Sequence, residues 1–196
     1  MNILNAILLG IIQGLSEFIP ISSTAHLTIA GKFLGLINAE HPEEWTAFIA
    51  ILQLGTIAAV LLFFQKKIRN ILRSFCSEVL LNRKRFSTIS HDAKLGWFVI
   101  IGTLPVVTIG IALKKIIEGS ITKNLWVIAI NLIVFALILA LAERFSKHTR
   151  SMEKISLRDA IAIGCTQVFA LFPGASRSGV TMTAGLFSGL TRETAA

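Results

Sequence analysis

Apolar residues run through this chain in blocks, and the breaks between blocks are as informative as the blocks. Residues 47–64, 96–113 and 125–142 are three apolar runs of 18 residues each. As helices they would rise about 27 Å, close to the roughly 30 Å of a bilayer's hydrocarbon core. Each predicts a full transmembrane span. Gln53 and Asn131 are strongly polar side chains inside two of them, and Pro105 predicts a kink in the other. Trp45 precedes the first span, where an indole suits the membrane interface, and Trp126 lies near the start of the third.

Two further apolar stretches, about 1–36 and 160–190, are broken near their middles. In the first, residues 3–12 are too short to span, Gln13, Ser16 and Glu17 follow, and Pro20 stops the helix. Ser22 or Ser23 then caps a second short helix running to about Leu36. In the second, residues 160–172 end at Pro173, and Gly179–Leu190 forms another short helix. Two half-length helices around a polar break predict a re-entrant hairpin rather than one kinked span.

The two hairpins match by spacing. Gly10-Ile-Ile-Gln13 corresponds to Gly164-Cys-Thr-Gln167, and each Gln is followed 18 residues later by a glycine (Gly31, Gly185) and four later by another (Gly35, Gly189). Both copies place a proline and a Ser-rich turn between. With three spans separating them, the copies enter from opposite faces, an inverted-topology repeat. The expected fold is an all-α integral membrane protein, one membrane domain over 1–196. Residues 1–142 form a first repeat and 160–196 the start of a second, incomplete one. A whole second repeat would add three more spans after Ala196. The glycine pairs Gly31/Gly35 and Gly185/Gly189 are expected to let helices pack closely.

Composition agrees with this: 54% of residues are hydrophobic and 15% charged, with a mean hydropathy of +0.73, far from a soluble domain. The net charge of +8 does not signal nucleic acid. Of 19 Lys and Arg residues, eight lie in 65–95 and five in 143–159, the pattern that orients a membrane protein with those loops in the cytoplasm. Ile68, Ile71, Leu72 and Phe75 recur at helical spacing among the basic residues, predicting a basic amphipathic helix on the inner leaflet. The loops 37–46 and 114–124 then face outside, so the first hairpin dips from outside and the second from the cytoplasm. The N-terminus has no basic n-region or A-x-A site, so no cleavable signal is expected. Cys76 and Cys165 are isolated and read as small apolar fillers.

Chemistry concentrates at the two breaks. A helix starts after each Ser-rich turn, and its first N–H groups and positive dipole end suit an anion, phosphate above all. Arg177 adds a permanently charged planar donor matched to phosphate oxygens. Ser176, Ser178 and Thr181 add hydroxyls. Gln13 and Glu17 are four apart on one helical face, and an intramembrane carboxylate calls for a partner: Arg177, a proton or a metal ion. Glu17, with the Gln13 amide oxygen, could hold Mg²⁺ or Ca²⁺ bridging phosphate oxygens. Ser23 and His26 are three apart, close enough for a nucleophile and a proton-transfer partner. His41, His91 and His148 lie in loops and carry no assignment.

At these residues the chain resembles the undecaprenyl-diphosphatase family of bacitracin-resistance membrane phosphatases. That family's Glu/Gln-x-x-x-Glu motif is matched by Gln13 and Glu17, and its Ser-Ser-Thr-x-His run by Ser22, Ser23, Thr24 and His26. Its Pro-Gly-x-Ser-Arg-Ser-x-x-Thr motif is matched in full from Pro173 through Gly174, Ser176, Arg177 and Ser178 to Thr181. The resemblance implies hydrolysis of undecaprenyl diphosphate to the monophosphate and phosphate, which recycles the carrier lipid for peptidoglycan synthesis. It also implies bacitracin resistance, a divalent cation (Mg²⁺ or Ca²⁺), an active site opening outward and the bacterial plasma membrane as location. Ser23, His26, Glu17 and Arg177 become the expected catalytic residues. Ser22, Thr24, Gly174, Ser176, Ser178 and Thr181 join Arg177 in binding phosphate, and Glu17 and Gln13 bind metal. Gln13 in the first acidic position weakens a two-carboxylate metal scheme. Ser23 as nucleophile and a metal-activated water both stay open. Expected partners are a prenyl diphosphate and membrane lipids, with a homodimer admissible and no nucleic acid. The rival reading is a transporter or lipid flippase, since inverted re-entrant repeats serve both.

Overall fold

The computed structural model describes residues 2–38 and 40–196. Ten α-helices follow one another among them: α1 (Ile3–Ser16), α2 (Ser23–Phe33), α3 (Pro42–Phe63), α4 (Gln65–Phe75), α5 (His91–Ala112), α6 (Lys114–Glu118), α7 (Leu125–Phe145), α8 (Leu157–Gln167), α9 (Arg177–Phe187) and α10 (Arg192–Ala195). A π-helical turn, Cys76–Leu81, continues α4, and a 3-10 turn, Val168–Leu171, continues α8.

Three of these, Glu43–Phe63, His91–Ala112 and Leu125–Phe145, are long and apolar enough to cross a membrane. Their outward faces present Ile57, Leu61, Ile130, Ile133 and Leu137 unburied, which water would penalise and lipid accepts. This is an all-α membrane protein. The helices overrun the predicted apolar blocks at polar ends. Pro42 stands at the first position of α3 with Glu43 and Glu44 behind it, and the Ser90 hydroxyl accepts from Ala93 N at the start of α5. These residues suit a helix start without suiting hydrocarbon. The helical assignment of α5 runs unbroken through Pro105, where the Thr108 hydroxyl donates to the carbonyls of Leu104 and Pro105.

The two hairpins, α1–α2 and α8–α9, correspond at a constant offset of 154 residues. Asn2 and Ser156 cap their first helices, each side chain accepting from the N–H three residues on. Ser22 and Ser176 stand at the N-caps of the second helices, which end at Phe33 and Phe187. Both then close with a glycine at positive φ, +63° at Gly35 and +79° at Gly189. Leu36 N donates to Gly31 O at 2.9 Å and Leu190 N to Gly185 O at 3.1 Å, so each end is a Schellman cap. The glycine pairs therefore divide their work, contrary to the packing role expected of all four. Gly31 and Gly185 allow close approach, since a Cβ would fall 2.3 Å from the Trp45 ring and 2.9 Å from Ala195 Cβ. Gly35 and Gly189 end helices instead.

Trp45 is thus not an interfacial anchor. It is 4% exposed, packed with Leu9, Leu27 and Ile49, and donates its indole N–H to Thr28 Oγ1 at 3.4 Å. Trp126, by contrast, is 81% exposed at the start of α7. Cys76 and Cys165 are exposed rather than packed. The hairpin α8–α9 is held from two sides. A Cβ on Gly164 would meet the backbone of Gly102 on α5 at 2.5 Å, and Asn131 Nδ2 on α7 donates to Pro173 O at 2.8 Å.

The open end of that hairpin is tied by charge. Arg150 donates to both carboxylate oxygens of Asp159, at 2.8 and 2.5 Å, and to the carbonyls of Ser188 and Lys154. Asp159 also completes a capping box with Ser156 at the start of α8. Burial pushes the Asp159 carboxyl up, but hydrogen bonds from Arg150 and Ser156 outweigh it, and the group is lowered from 3.8 to about 2. A depressed carboxyl stabilises the fold above its unfolded value, and that contribution disappears as pH falls through the folded value. Wild type should therefore lose about 2 kcal/mol more than Asp159→Asn between pH 4 and pH 2. Detergent-phase thermal unfolding across that window checks it; parallel curves for the two proteins would contradict it.

Candidate active site

The reversal after α1 brings Glu17 to the start of α2. Ser22, at φ 67°, is one of the few non-glycine residues with positive φ among those described. That backbone turns Ser23, the first residue of α2, back onto the end of α1. Ser23 Oγ donates to Glu17 Oε2 at 2.5 Å. Gln13, one turn earlier and 2% exposed, donates through Nε2 to the same carboxylate oxygen at 2.9 Å. Its Nε2 also lies 3.4 Å from Thr56 Oγ1 on α3, and Thr56 in turn donates to Gln53 O. The carboxylate therefore sits at the end of a relay that fixes its orientation before any substrate arrives.

His26 is placed differently from the expectation. Its Nδ1 lies 2.9 Å from Ser22 O, so Nδ1 carries the proton and donates to that carbonyl. Ser23 is paired with Glu17 and not with His26. The three-residue spacing of Ser23 and His26 puts them on one helical face, but Ser23 belongs to the first turn and faces back across the reversal. Through this bond His26 braces the Ser22 carbonyl at the turn.

The second hairpin supplies the facing wall. Pro173 and Gly174 turn the chain, Gly174 at φ +89° with Ile128 O where a Cβ would stand. Ser176 caps α9, accepting from Gly179 N at 3.2 Å, and lies 3.0 Å from Ser178 Oγ. Ser178 Oγ also donates to Ile19 O at 3.3 Å. This bond joins the two turns directly. Gly179 sits against Pro20, where a Cβ would be in ordinary contact at 3.4 Å. Thr181 Oγ1 donates back to the carbonyls of Arg177 and Ser178.

A cavity of about 820 Å³ opens where the turns meet. Glu17, Ser22, Ser23 and Thr24 line it from the first hairpin, and Ser176, Arg177, Ser178 and Thr181 from the second. A second cavity of about 200 Å³ adjoins Thr24, Gly174 and Arg177. Gln13 lies behind Glu17, outside the lining of the larger cavity. Its Oε1 is buried without a hydrogen-bond partner among the described residues.

The offset of 154 pairs positions that have diverged. Glu17 corresponds to Leu171, Ser23 to Arg177 and His26 to Val180. One copy supplies the acid, at the end of α1, and the hydroxyl; the other supplies the guanidinium; Ser23 and Arg177 are each the first residue of an inner helix. The two starts also differ electrically. Ser176 caps its helix with its side chain, whereas Ser22 makes no such bond, leaving the first N–H groups of α2 for a ligand.

Gln53 and Gln167 also line the larger cavity, and Thr56 supports Gln13; the sequence marks Gln167 only as the repeat counterpart of Gln13, and assigns neither Gln53 nor Thr56 to the site. The signal for Gln53 was a lone amide in an apolar span, with Thr56 three residues on along the same face. No group of three or more His, Cys, Asp or Glu side chains gathers among the described residues. The protein donors on offer to a cation are the Glu17 carboxylate and the orphaned Gln13 Oε1. Of the two, only the Glu17 carboxylate lines the cavity, where phosphate and water oxygens would have to complete the shell of a hard cation.

Comparison with known proteins points the same way. Residues 6–196 match the family described as bacitracin resistance protein BacA. A Syntrophobacter fumaroxidans protein named undecaprenyl-diphosphatase is 57% identical over 196 residues, covering 100% of this chain and 70% of that protein. Proteins of the same name from Myxococcus xanthus and Renibacterium salmoninarum are 47% and 43% identical, each covering 100% of this chain, and 63% and 67% of their own lengths. The chain thus spans about two thirds of these relatives. By the extent of the family match and by these identities, it belongs to the bacitracin resistance protein BacA family.

Proposed function

We propose that this protein hydrolyses undecaprenyl diphosphate to the monophosphate and phosphate, recycling the carrier for cell-wall synthesis and conferring bacitracin resistance. The observation that carries this reading is one cavity with Glu17 and Ser23 on one wall and Arg177 on the other. The guanidinium and the uncapped start of α2 bind the diphosphate, with Ser22, Thr24, Gly174, Ser176, Ser178 and Thr181 around it. Ser23 Oγ loses its proton to Glu17 Oε2 and attacks the terminal phosphorus. The bond to the bridging oxygen breaks, and the prenyl monophosphate leaves. The departing monophosphate takes the proton from Glu17, and water then attacks the phosphoserine, its proton passing through Glu17 to the Ser23 oxygen as the serine–phosphorus bond breaks. The prenyl chain lies in lipid alongside the exposed apolar helices.

A divalent cation, Mg²⁺ or Ca²⁺, belongs to this proposal. Glu17 and Gln13 would hold it, and when bound it neutralises charge on the phosphate oxygens. The two hairpins would enter from opposite faces of the bacterial plasma membrane and meet inside it, the active site opening outward. Nothing in the site requires a second subunit, so the homodimer is not part of the proposal.

The test is phosphate release from a prenyl diphosphate by the intact protein in detergent, with no second compartment. A transporter or flippase would release none. Arg177→Ala should lower kcat/KM about 10²- to 10³-fold, the usual cost of losing a donor aimed at developing charge. Arg177→Lys should recover only part, because an ammonium lacks the planar fork. An Arg177→Ala protein with wild-type turnover would overturn the assignment.

A further inference from the structure

Away from the active site, the elbow between α3 and α4 forms an exposed groove of about 490 Å³. Leu61, Ile68 and Leu72 make its floor, and Gln65, Arg69 and Arg73 its rim. Arg69 and Arg73 are one helical turn apart and point the same way. Both are exposed, and neither has an ion pair among the described residues. Their neighbours differ in this respect. Lys67 pairs with Asp92 at 3.2 Å and Lys84 with Glu78 at 3.6 Å.

No residue of α4 is buried. One of its faces meets α5, with Ile71 against Leu95 and Phe98 and Phe75 edge-on to Trp97. Among the described residues, the face with Leu72 and the two arginines has no protein neighbour to satisfy it. Leu61 lies in the last turn of the span Glu43–Phe63, so the groove begins where acyl chains end and headgroups begin. Its charge and its depth select the same occupant.

We propose that this elbow is a binding site for an anionic phospholipid of the cytoplasmic leaflet, the headgroup phosphate held by Arg69 and Arg73 and an acyl chain laid on Leu61, Ile68 and Leu72. A zwitterionic lipid brings its own cation to the same phosphate and so offers the two guanidinium groups no net counter-charge, and a free phosphate would leave the apolar floor bare. The site is independent of the hydrolytic reading and rests on the cytoplasmic placement of 65–95.

The experiment uses the intact protein in phosphatidylcholine nanodiscs doped with a photoactivatable phosphatidylglycerol. The expected label falls within residues 61–76. Unlabelled phosphatidylglycerol competes for it, whereas added phosphatidylcholine and glycerol 1-phosphate do not. Near an anionic surface each arginine contributes about fivefold to affinity, so Arg69→Gln/Arg73→Gln should weaken labelling about 30-fold. Arg83→Gln/Arg85→Gln, which removes equal charge from the neighbouring loop, should change it less than twofold. Label elsewhere, competition by phosphatidylcholine, or equal loss in both double variants overturns the site. Mapping and competition are read on unsubstituted protein, so they decide the question even where a variant fails to fold.

Discussion

Replacing Glu17 by Gln should lower kcat/KM about 10³-fold while leaving the fold intact. The amide keeps the volume and can still accept from Gln13, so α1 and its reversal hold. What it removes is the acceptor that lies 2.5 Å from Ser23 Oγ, together with the negative charge available to a cation. General-base contributions of this kind run to about 10²- to 10⁴-fold, and loss of a metal-ligating carboxylate would act in the same direction. Ser23→Ala should match it, since the two groups act as a unit. Labelled phosphate should be trapped on Ser23 in wild type, and not in the Glu17→Gln protein. Glu17→Gln within tenfold of wild type would remove the carboxylate from the mechanism. Full turnover in Ser23→Ala would transfer the nucleophile's role to water.

The hairpins were legible because the chain writes them twice. A fixed spacing from Gln13 and Gln167 to paired glycines, around a polar break in apolar sequence, predicts two short helices, and the caps at Asn2 and Ser156 extend that match. The full spans were legible in position but not in length, because hydropathy marks where lipid lies and capping marks where helices start. Which glycines pack and which terminate could not be read from Gly-x-x-x-Gly spacing. The distinction depends on the sign of φ, which depends on where the helix stops. The pairing of Ser23 was obscured for a related reason. Spacing along one helix pointed to His26, while the true neighbour lies six residues back, across a reversal set by the positive φ of Ser22. Thr56 and Asn131 serve the site from distant spans, and no local pattern connects them to it. Divergence between the copies, Glu17 against Leu171 and Ser23 against Arg177, was written in the sequence throughout. Its meaning needed the two turns side by side.

Gly174→Ala should disable the protein without touching a reacting group. The position combines φ +89° with a Cβ site 2.5 Å from Ile128 O and 3.2 Å from Asn131 Cβ. An L-residue in the left-handed region costs about 1–2 kcal/mol, and the overlap is with helix backbone, which cannot rotate away as a side chain could. Overpacking of this kind adds about 1–3 kcal/mol, so the turn relaxes by withdrawing from α7. Withdrawal breaks the bond from Asn131 to Pro173 O and shifts the start of α9, with Ser176 and Arg177, relative to Ser23. A displacement near 1 Å at such a site costs about 10²-fold in rate. The intact Gly174→Ala protein should therefore lose about 3 kcal/mol of stability, and at a temperature where it is still folded kcat/KM should fall about 10²-fold or more. Asn131→Leu, which deletes the tether but leaves Gly174 in place, should show the same direction at smaller size, about 1–2 kcal/mol for one buried hydrogen bond. Thermal unfolding and phosphate release on the same preparations separate the two effects. Wild-type stability in Gly174→Ala would mean that the turn does not press against α7, and the placement of Arg177 opposite Ser23 would lose its support.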